Sequence, residues 1–377
     1  MNVNQSLTLL GGLSPAQFMR RHWQKKPLLV RQAVPGVQPP LTRPQLFDLA
    51  ACDDVEARLV QRREGAWTVR HGPFARRSLP PVKRPDWTLL VQGVDLHVPV
   101  AHELLTRFRF VPDARLDDLM TSWASDGGGV GPHLDSYDVF LLQVQGRRRW
   151  RIGRVPDARM VDGIPLKILC NFEPEQEWVL EPGDMLYLPP RWGHDGIADG
   201  ECMTCSVGFR VPCEDDLATD LLQRLSDPDE DDDAPPRLYR DAGQAAVDRP
   251  GEVPQSLLDF ARQALNRRLN EPGALELALG EALTEPKPRV WFPAGVPADL
   301  SRGLCLDRRT RMMYDAHHVY INGQAFRIGG RDARLLRGLA DARCLSARDC
   351  AAFSDEAADV IGDWLCSGWL HALESTP

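Results

Sequence analysis

Short runs of alternating apolar and polar residues dominate the first half of the chain, from about Trp67 to Val211. Gly, Pro and Asp separate these runs, which is the pattern of successive β-strands joined by turns. Residues 14–32 come before them and show helical periodicity that starts after Ser14, followed by a short apolar run. The pattern predicts a β-sandwich or barrel that is preceded by one capped helix and a short strand.

The periodicity becomes helical in the second half of the chain. Residues 215–225 repeat leucines at helical spacing, and residues 254–285 indicate two helices that are broken at Pro272-Gly273. Between these segments, residues 226–236 form an acidic run that contains prolines. Such a composition predicts a solvated linker.

A last unit of mixed helices and short strands begins near Pro288. Asn322-Gly323 is a preferred dipeptide for a tight hairpin turn, and amphipathic helical patterns follow over residues 331–341 and 354–368. A hairpin combined with small helices predicts a winged-helix-like unit.

Length, charge and cysteine content limit the possible classes of protein. A chain of 377 residues is too long for one compact core and predicts two or three domains. The net charge of −8 argues against direct nucleic-acid binding and suits a basic macromolecular partner. No apolar run reaches membrane-spanning length, and the first residues lack the pattern of a signal peptide.

The nine cysteines are odd in number and scattered, which predicts reduced thiols in a cytoplasmic protein. Cys202 and Cys205 form a CxxC pattern inside a strand-like run, where positions three apart face opposite ways. There is no partner CxxC, so we interpret this pair as ordinary cysteines rather than zinc ligands.

The run from Gly131 to Gly153 begins with His133 and Asp135, which lie two residues apart. Because side chains alternate across a strand, the two project from one face and offer a nitrogen and an oxygen ligand. His194, beyond a later strand and a Pro-Pro-containing turn, supplies a second imidazole. Two imidazoles and one carboxylate leave open positions on an octahedral metal, as in non-haem Fe(II) oxygenases. We therefore predict a metal site.

The same run continues into several arginines after Gly146, which predicts a turn and a return strand. Alternation places Arg148 on the apolar, inward face with Trp150 and Ile152. The opposite face carries the other arginines: Arg147, Arg149 and Arg151. A buried arginine needs an anion, and a guanidinium binds a carboxylate through two parallel hydrogen bonds. Next to an Fe(II) site, Arg148 suits the distal carboxylate of 2-oxoglutarate; a structural salt bridge is the alternative.

These motifs together resemble a known family. GGGVGPHLDSYDVFLLQVQGRRRWRIG with PGDMLYLPPRWGH is similar to the JmjC-type ribosomal oxygenases, and most to the bacterial branch that hydroxylates an arginine of large-subunit ribosomal protein sixteen. FMRRHWQKKPLLVRQAV is similar to the N-terminal segment of that family. The resemblance covers residues 10–211 strongly and the remainder more weakly.

The resemblance implies an α+β architecture of three parts. The first is a double-stranded β-helix (JmjC/cupin-like) catalytic domain over residues 1–213. A helical dimerisation region over 214–287 follows, and a C-terminal winged-helix-like domain over 288–377 completes the chain.

The resemblance also implies roles for particular residues. It implies Fe(II) on the two histidines and Asp135, and 2-oxoglutarate held at its far end by Arg148, with dioxygen as the second co-substrate. Ser122 falls where the family places a polar side chain toward 2-oxoglutarate, and Met120 lines the same pocket. Arginine rather than lysine at position 148 favours the bacterial type. At Asp126 the chain departs from the bacterial pattern, which has a proline.

Two residues are candidates for contact with the substrate. Tyr137 shares the face of His133 and Asp135 and is expected at the mouth of the pocket, while Asp126 is expected to face an incoming guanidinium. For both, a structural role is an equal alternative.

The resemblance implies a basic large-subunit ribosomal protein as substrate and, with the leucine-rich helices, a homodimer. One alternative function is a JmjC hydroxylase of another residue or protein. The other is a non-catalytic, ribosome-associated cupin-like protein that keeps a metal for stability.

Overall fold

The computed structural model describes residues 2–226, 237–296 and 302–373. The chain forms two compact units, Met1–Val211 and Pro212–Pro377. The boundary between them lies close to the one that the sequence predicts after residue 213.

The acidic run over residues 226–236 falls outside the described residues except for Ser226, so its role as a linker stays a prediction. Of the helices in the described ranges, none is both long enough and apolar enough to cross a membrane.

The first unit is built on an antiparallel sheet that has nine strands in the described residues. These are β1 (Leu28–Val30), β2 (Ala57–Arg63), β3 (Ala66–His71), β4 (Trp87–Val91), β5 (Leu116–Ala124), β6 (Val139–Arg154), β7 (Gln176–Leu180), β8 (Met185–Leu188) and β9 (Trp192–Phe209). The sheet order is β1-β8-β6-β9-β5-β4-β2-β3, and β7 pairs with β6. The helices of this unit are α1 (Pro15–Arg21), α2 (Arg43–Leu49), α3 (Val94–His97) and α4 (Pro99–Thr106). The cupin-like β-core is as predicted.

The first helix begins where the sequence predicts. The Ser14 side chain accepts a hydrogen bond from the Gln17 amide at 3.2 Å, and the Gln17 side chain accepts one from the Ser14 amide at 3.0 Å. This reciprocal capping box satisfies two amides that the helix itself leaves unpaired, and Pro15 fits the first helical position because no amide is needed there.

Two long strands, β6 and β9, pair with each other along most of their length. The predicted turn at Gly146 is wrong. Strand β6 continues through this residue as a single strand that bends there, and its pairing with β9 shifts register beside the bend. Gly146 has φ 62°, and a Cβ atom there would lie 2.1 Å from the carbonyl oxygen of Glu201. Glycine therefore permits a bulge that bends the strand without reversing it.

Strand β6 is buried on both faces. Phe140 and Leu142 face a large apolar core that also contains Phe18 of α1 and Phe47 of α2. Val139, Leu141, Trp150 and Ile152 belong instead to a second apolar cluster. The odd-numbered positions before the bend and the even-numbered ones after it thus share one face, because the bulge shifts the alternation by one residue.

The second unit combines helices with two small sheets. Its helices are α5 (Glu214–Ser226), α6 (Gln255–Leu269), α7 (Ala274–Thr284), α8 (Gly330–Ala342), α9 (Ala347–Cys350) and α10 (Asp355–Cys366). Its strands are β10 (Leu304–Leu306), β11 (Met312–Tyr314), β12 (His318–Ile321), β13 (Gln324–Arg327), β14 (Cys344–Leu345) and β15 (Leu370–Ala372). The sheets have the orders β14-β10-β15 and β11-β12-β13. The helix pair and the hairpin at Asn322-Gly323 are as predicted.

Helix α7 packs directly on this hairpin. A Cβ atom at Gly280 would lie 2.3 Å from the Tyr320 ring, and the Gly323 amide donates a hydrogen bond to Thr284 Oγ1 at 3.2 Å. These contacts of α7 with the hairpin cross the boundary predicted at residue 287, which stays a prediction.

Cys305 of β10 and Cys344 of β14 lie opposite each other and form a disulfide. The expectation that all cysteines are reduced is wrong for this pair, because sheet register rather than sequence spacing brings the two together. Cys202 and Cys205 are free and buried, in agreement with their interpretation as ordinary cysteines.

Candidate active site

A cavity of about 520 Å³ opens into the sheet of the first unit. Strands β4, β5, β6 and β9 contribute to its walls, together with the segment between β5 and β6. It is lined by most of the predicted site residues: Met120, Ser122, His133, Asp135, Tyr137, Arg148 and His194.

His133, Asp135 and His194 each offer a ligand atom within 4.8 Å of the others. Nε2 of His194 lies 3.6 Å from Oδ2 of Asp135, and the two imidazole centroids are 4.2 Å apart. His133 and His194 also exchange both backbone hydrogen bonds, at 3.0 and 2.8 Å. Among the described residues, this is the one group of His, Cys, Asp or Glu side chains close enough to hold a metal ion.

The two histidines are held in the tautomer that a metal needs. Nδ1 of His133 lies 2.9 Å from the Gly131 carbonyl oxygen, and Nδ1 of His194 lies 3.0 Å from that of Trp192. Each contact requires a proton on Nδ1, which leaves the Nε2 lone pair free. Burial and the neighbouring His133 lower the pKa of His194 to about 4, so its ring is neutral at pH 7.

Arg148 points into the same cavity and is 5% exposed, whereas Arg147 and Arg149 face solvent, as the alternation predicts. Its Nη1 donates hydrogen bonds to Ser122 Oγ at 3.2 Å and to Thr204 Oγ1 at 3.4 Å.

Within the described ranges, no carboxylate balances the charge of Arg148. Its Nε has no hydrogen-bond partner, and no carboxylate of the described residues forms an ion pair with it. Since an uncompensated buried charge is costly, this guanidinium requires an anion from outside the protein. The alternative of a structural salt bridge is not seen.

Sequence reasoning missed the residues that support Arg148 from β6 and β9. Thr204 donates a hydrogen bond to Gln143 Oε1 at 2.9 Å, and Gln143 is fully buried. The sequence signal that could have identified Thr204 is the alternation in the β9 run MTCSVGF, where Thr204 and Ser206 share one face.

Tyr137 lies at the rim of the cavity and is 39% exposed. Burial of its ring raises the pKa of Tyr137, and so does the negative charge of the nearby Asp135, so the phenol is neutral at pH 7. Two further carboxylates line the cavity from β5: Asp117, which is 3.2 Å from Arg210, and Asp118, which accepts the Gly93 amide at 3.0 Å.

Asp126 is not brought to this cavity. Its Oδ1 accepts a hydrogen bond from the Gly200 amide at 2.9 Å, which ties the segment after β5 to β9. It lines a separate cavity of about 270 Å³ with Arg149 and Arg151. The expected contact with an incoming guanidinium therefore has no support in the structure, and the structural alternative fits the observed bond.

Comparison with protein families gives two matches. A JmjC domain matches residues 103–217, which include every predicted site residue. A ROXA-like winged helix matches residues 267–371, which include helix α7.

Individual relatives match along most of the chain. The ribosomal protein uL16 3-hydroxylase of Escherichia coli is 36% identical over 331 residues, which cover 81% of this chain and 84% of that protein. A probable ribosomal oxygenase of Haemophilus influenzae is 29% identical over 397 residues, covering 95% of this chain and 96% of that protein. The solved structure of YcfD, a ribosomal oxygenase from Escherichia coli, in complex with cobalt and 2-oxoglutarate has a TM-score of 0.76 at 31% identity, covering 95% of this chain and 98% of that chain. This chain therefore belongs to the JmjC-domain ribosomal oxygenases with a ROXA-like winged helix.

Proposed function

We propose that this protein is an Fe(II)- and 2-oxoglutarate-dependent dioxygenase that hydroxylates an arginine side chain of ribosomal protein uL16 at its 3-position. The observation that carries the proposal is the buried Arg148 guanidinium, which has no carboxylate partner among the residues that the structure describes and shares a cavity with a His-Asp-His cluster. The Escherichia coli relative is a ribosomal protein uL16 3-hydroxylase, which supports this reaction and this substrate.

His133, Asp135 and His194 are the residues that would hold the metal. Two neutral imidazoles and one carboxylate suit Fe(II) and leave positions for small ligands. The backbone bridge joins the segments that carry the two histidines, and the Gly131 and Trp192 carbonyl groups fix both rings. Such supporting contacts orient the ligands and set their basicity.

Arg148 would bind the far carboxylate of 2-oxoglutarate, with Ser122 and Thr204 holding the guanidinium in place. Met120 lines the same cavity. When bound, the metal, 2-oxoglutarate and dioxygen supply an oxidant that replaces a substrate hydrogen with hydroxyl, while 2-oxoglutarate becomes succinate and carbon dioxide. The apolar wall of Val139, Leu141 and Trp150 keeps water away from this chemistry.

A cationic substrate fits the rim of the cavity. Tyr137, which lies at the rim, offers an aromatic face for a guanidinium, and Asp117 and Asp118 add negative charge to the wall of the cavity while they bind Arg210 and the Gly93 amide. The net charge of −8 attracts a basic ribosomal protein from a distance. A ribosomal substrate also places the activity in the cytoplasm.

Helix α6 supports the proposal of a homodimer. It exposes four leucines: Leu257, Leu258, Leu265 and Leu269. A second copy would cover this apolar face, because a surface of clustered leucines is unfavourable in water. We expect a dimer by sedimentation equilibrium and a monomer for Leu265→Glu, with Leu238→Glu as the exposed control. A wild-type monomer at micromolar concentration contradicts the dimer.

The first experiment incubates the protein with Fe(II), 2-oxoglutarate and total large-subunit ribosomal proteins, and reads intact masses. We expect a gain of one oxygen on uL16 alone, located on an arginine by fragmentation. Asp135→Ala should abolish the gain, whereas Asp126→Ala should retain it. A gain of one oxygen on another ribosomal protein would identify that protein as the substrate instead of uL16. Bound iron without hydroxylation of any basic protein would favour the non-catalytic alternative.

A further inference from the structure

The solvent-exposed face of the sheet β14-β10-β15 carries three reactive side chains in one row. Cys344 pairs with Cys305, and Cys305 pairs with His371 on the other side. The neighbouring residues Leu304, Leu306, Leu345 and Leu370 are buried on the opposite face. Side chains of directly paired residues lie on the same face, about 5 Å apart at Cβ. The disulfide and the imidazole are therefore neighbours.

His371 is held by a buried carboxylate. Its Nε2 lies 2.7 Å from Oδ2 of Asp307, which is 4% exposed and also accepts the Arg309 amide at 2.9 Å. Burial alone would raise the pKa of Asp307, but these hydrogen bonds lower it, so the carboxylate is ionised at neutral pH. An ionised carboxylate orients the imidazole, as in the Asp-His pairs of nucleophilic sites.

The row is open to solvent. Cys344 is exposed, Cys305 is partly exposed, and the side chain of His371 is 51% exposed. The site lies in the second unit and uses none of the residues assigned to the hydroxylase.

We propose that Cys305, Cys344 and His371 form a redox-active thiol–disulfide exchange site for small thiols. A thiolate attacks the exposed Cys344 sulfur and forms a mixed disulfide, the Cys305–Cys344 bond breaks, and its electron pair goes to Cys305. The His371 imidazolium protonates Cys305 as it leaves. A second thiol then attacks the mixed disulfide and releases the Cys344 thiol and an oxidised thiol dimer. In the reverse direction, neutral His371 accepts the proton of Cys305 and makes it nucleophilic.

The first test is differential alkylation with N-ethylmaleimide of the folded protein, purified in air without added thiols or disulfides. The four exposed free cysteines serve as internal controls and should be labelled: Cys52, Cys170, Cys213 and Cys366. Cys305 and Cys344 should be labelled only after reduced glutathione is added. Labelling of this pair before the reductant overturns the proposal.

The second test measures the rate of reduction of Cys305–Cys344 by glutathione. His371→Ala should slow reduction at least about tenfold, a conservative share of what a positioned acid–base group contributes. Free imidazole should restore the rate, which loss of a merely structural side chain would not allow. His318→Ala removes an imidazole paired with Asp315 in the other sheet and should leave the rate unchanged. An unchanged rate in His371→Ala, or no rescue by imidazole, overturns the role of His371.

Discussion

At the scale of single residues, burial and charge oppose each other most strongly at Arg148. Its guanidinium is removed from water, yet it donates hydrogen bonds to two neutral hydroxyls, those of Ser122 and Thr204. An arriving carboxylate therefore meets a group that is already desolvated and oriented, and the new interaction needs little reorganisation.

We expect Arg148→Gln to weaken 2-oxoglutarate binding by about 2–5 kcal/mol, the usual effect of removing one partner of a buried charge pair. Calorimetry on the cobalt-loaded protein measures this, because cobalt does not turn the co-substrate over. Arg149→Gln, on the exposed face of the same strand, is the matched control. Equal affinities in the two variants would contradict the assignment of Arg148.

At the scale of elements, the bend in β6 decides which arginine faces the cavity. The bulge at Gly146 changes the alternation, so Arg148 after the bend shares a face with Leu141 before it. A strand without the bulge would direct Arg147 or Arg149 inward instead.

Gly146→Ala should destabilise the first unit by at least about 2 kcal/mol, because a side chain in left-handed backbone is unfavourable and this one also meets Glu201. Gly200→Ala is the control, since its φ is 75° but nothing lies within 4 Å of the added Cβ. Urea unfolding should show a clearly larger loss at Gly146. Equal losses of unfolding free energy in the two variants would mean that the close approach of Gly146 to β9 does not add to the cost of the substitution.

The turn between β11 and β12 depends on an ionised Asp315. Burial opposes ionisation, but hydrogen bonds from the Tyr320 hydroxyl and the His317 and His318 amides lower the pKa of Asp315 to about 2. Because the pKa of Asp315 is lower in the folded protein than its value near 4 in the unfolded chain, ionisation of Asp315 stabilises the fold at pH values above 4. This stabilisation is lost as the pH falls toward 2.

Asp315→Asn should therefore cost about 1 kcal/mol at pH 7, a value reduced for solvent screening, and progressively less below pH 4. Chemical unfolding of both proteins at several pH values measures the difference. Asp359→Asn, an exposed change on α10, should show no such pH dependence. If the difference in free energy of unfolding between the two proteins stays constant from pH 7 to pH 3, ionised Asp315 does not stabilise the turn.

At the scale of the whole molecule, net charge affects how the substrate arrives. The protein carries a net charge of −8, and the proposed substrate is basic. Salt shortens the range of this attraction from about 10 Å at 0.1 M to about 3 Å at 1 M.

We expect kcat/KM for the ribosomal protein to fall at least about tenfold between these salt concentrations, while kcat at saturating substrate changes little. A steady-state titration at each salt concentration separates the two. A peptide that contains the target arginine but has no net charge is the control. Its kcat/KM should change little with salt concentration. A parallel response of protein and peptide would show that long-range attraction is not involved.

Local patterns were sufficient to predict much of this molecule. The inward direction of Arg148 beside Trp150 and Ile152 follows from strand alternation, which depends only on neighbouring residues. His133 and Asp135 meet at one site as expected, but both lie before β6 and outside a regular strand, so alternation is not what brings them together. The cap at Ser14 follows from equally local hydrogen bonds.

The parts that escaped prediction depend on register between distant strands. Thr204 reaches Arg148 only because of how β6 pairs with β9, and Cys305 meets Cys344 only through the sheet of the second unit. A glycine that tolerates positive φ is compatible with both a turn and a bulge, so Gly146 alone did not distinguish them.

The backbone bridge between His133 and His194 bears on which metal the protein acquires. Both imidazoles are fixed by contacts within the protein, so the ligands are assembled before any cation arrives. A rigid set of two nitrogens and a carboxylate follows the Irving–Williams order, in which nickel and copper bind more tightly than ferrous iron. Selection of iron therefore rests with the supply of metals in the cell, and displacement by a tighter-binding ion is the natural route to inactivation.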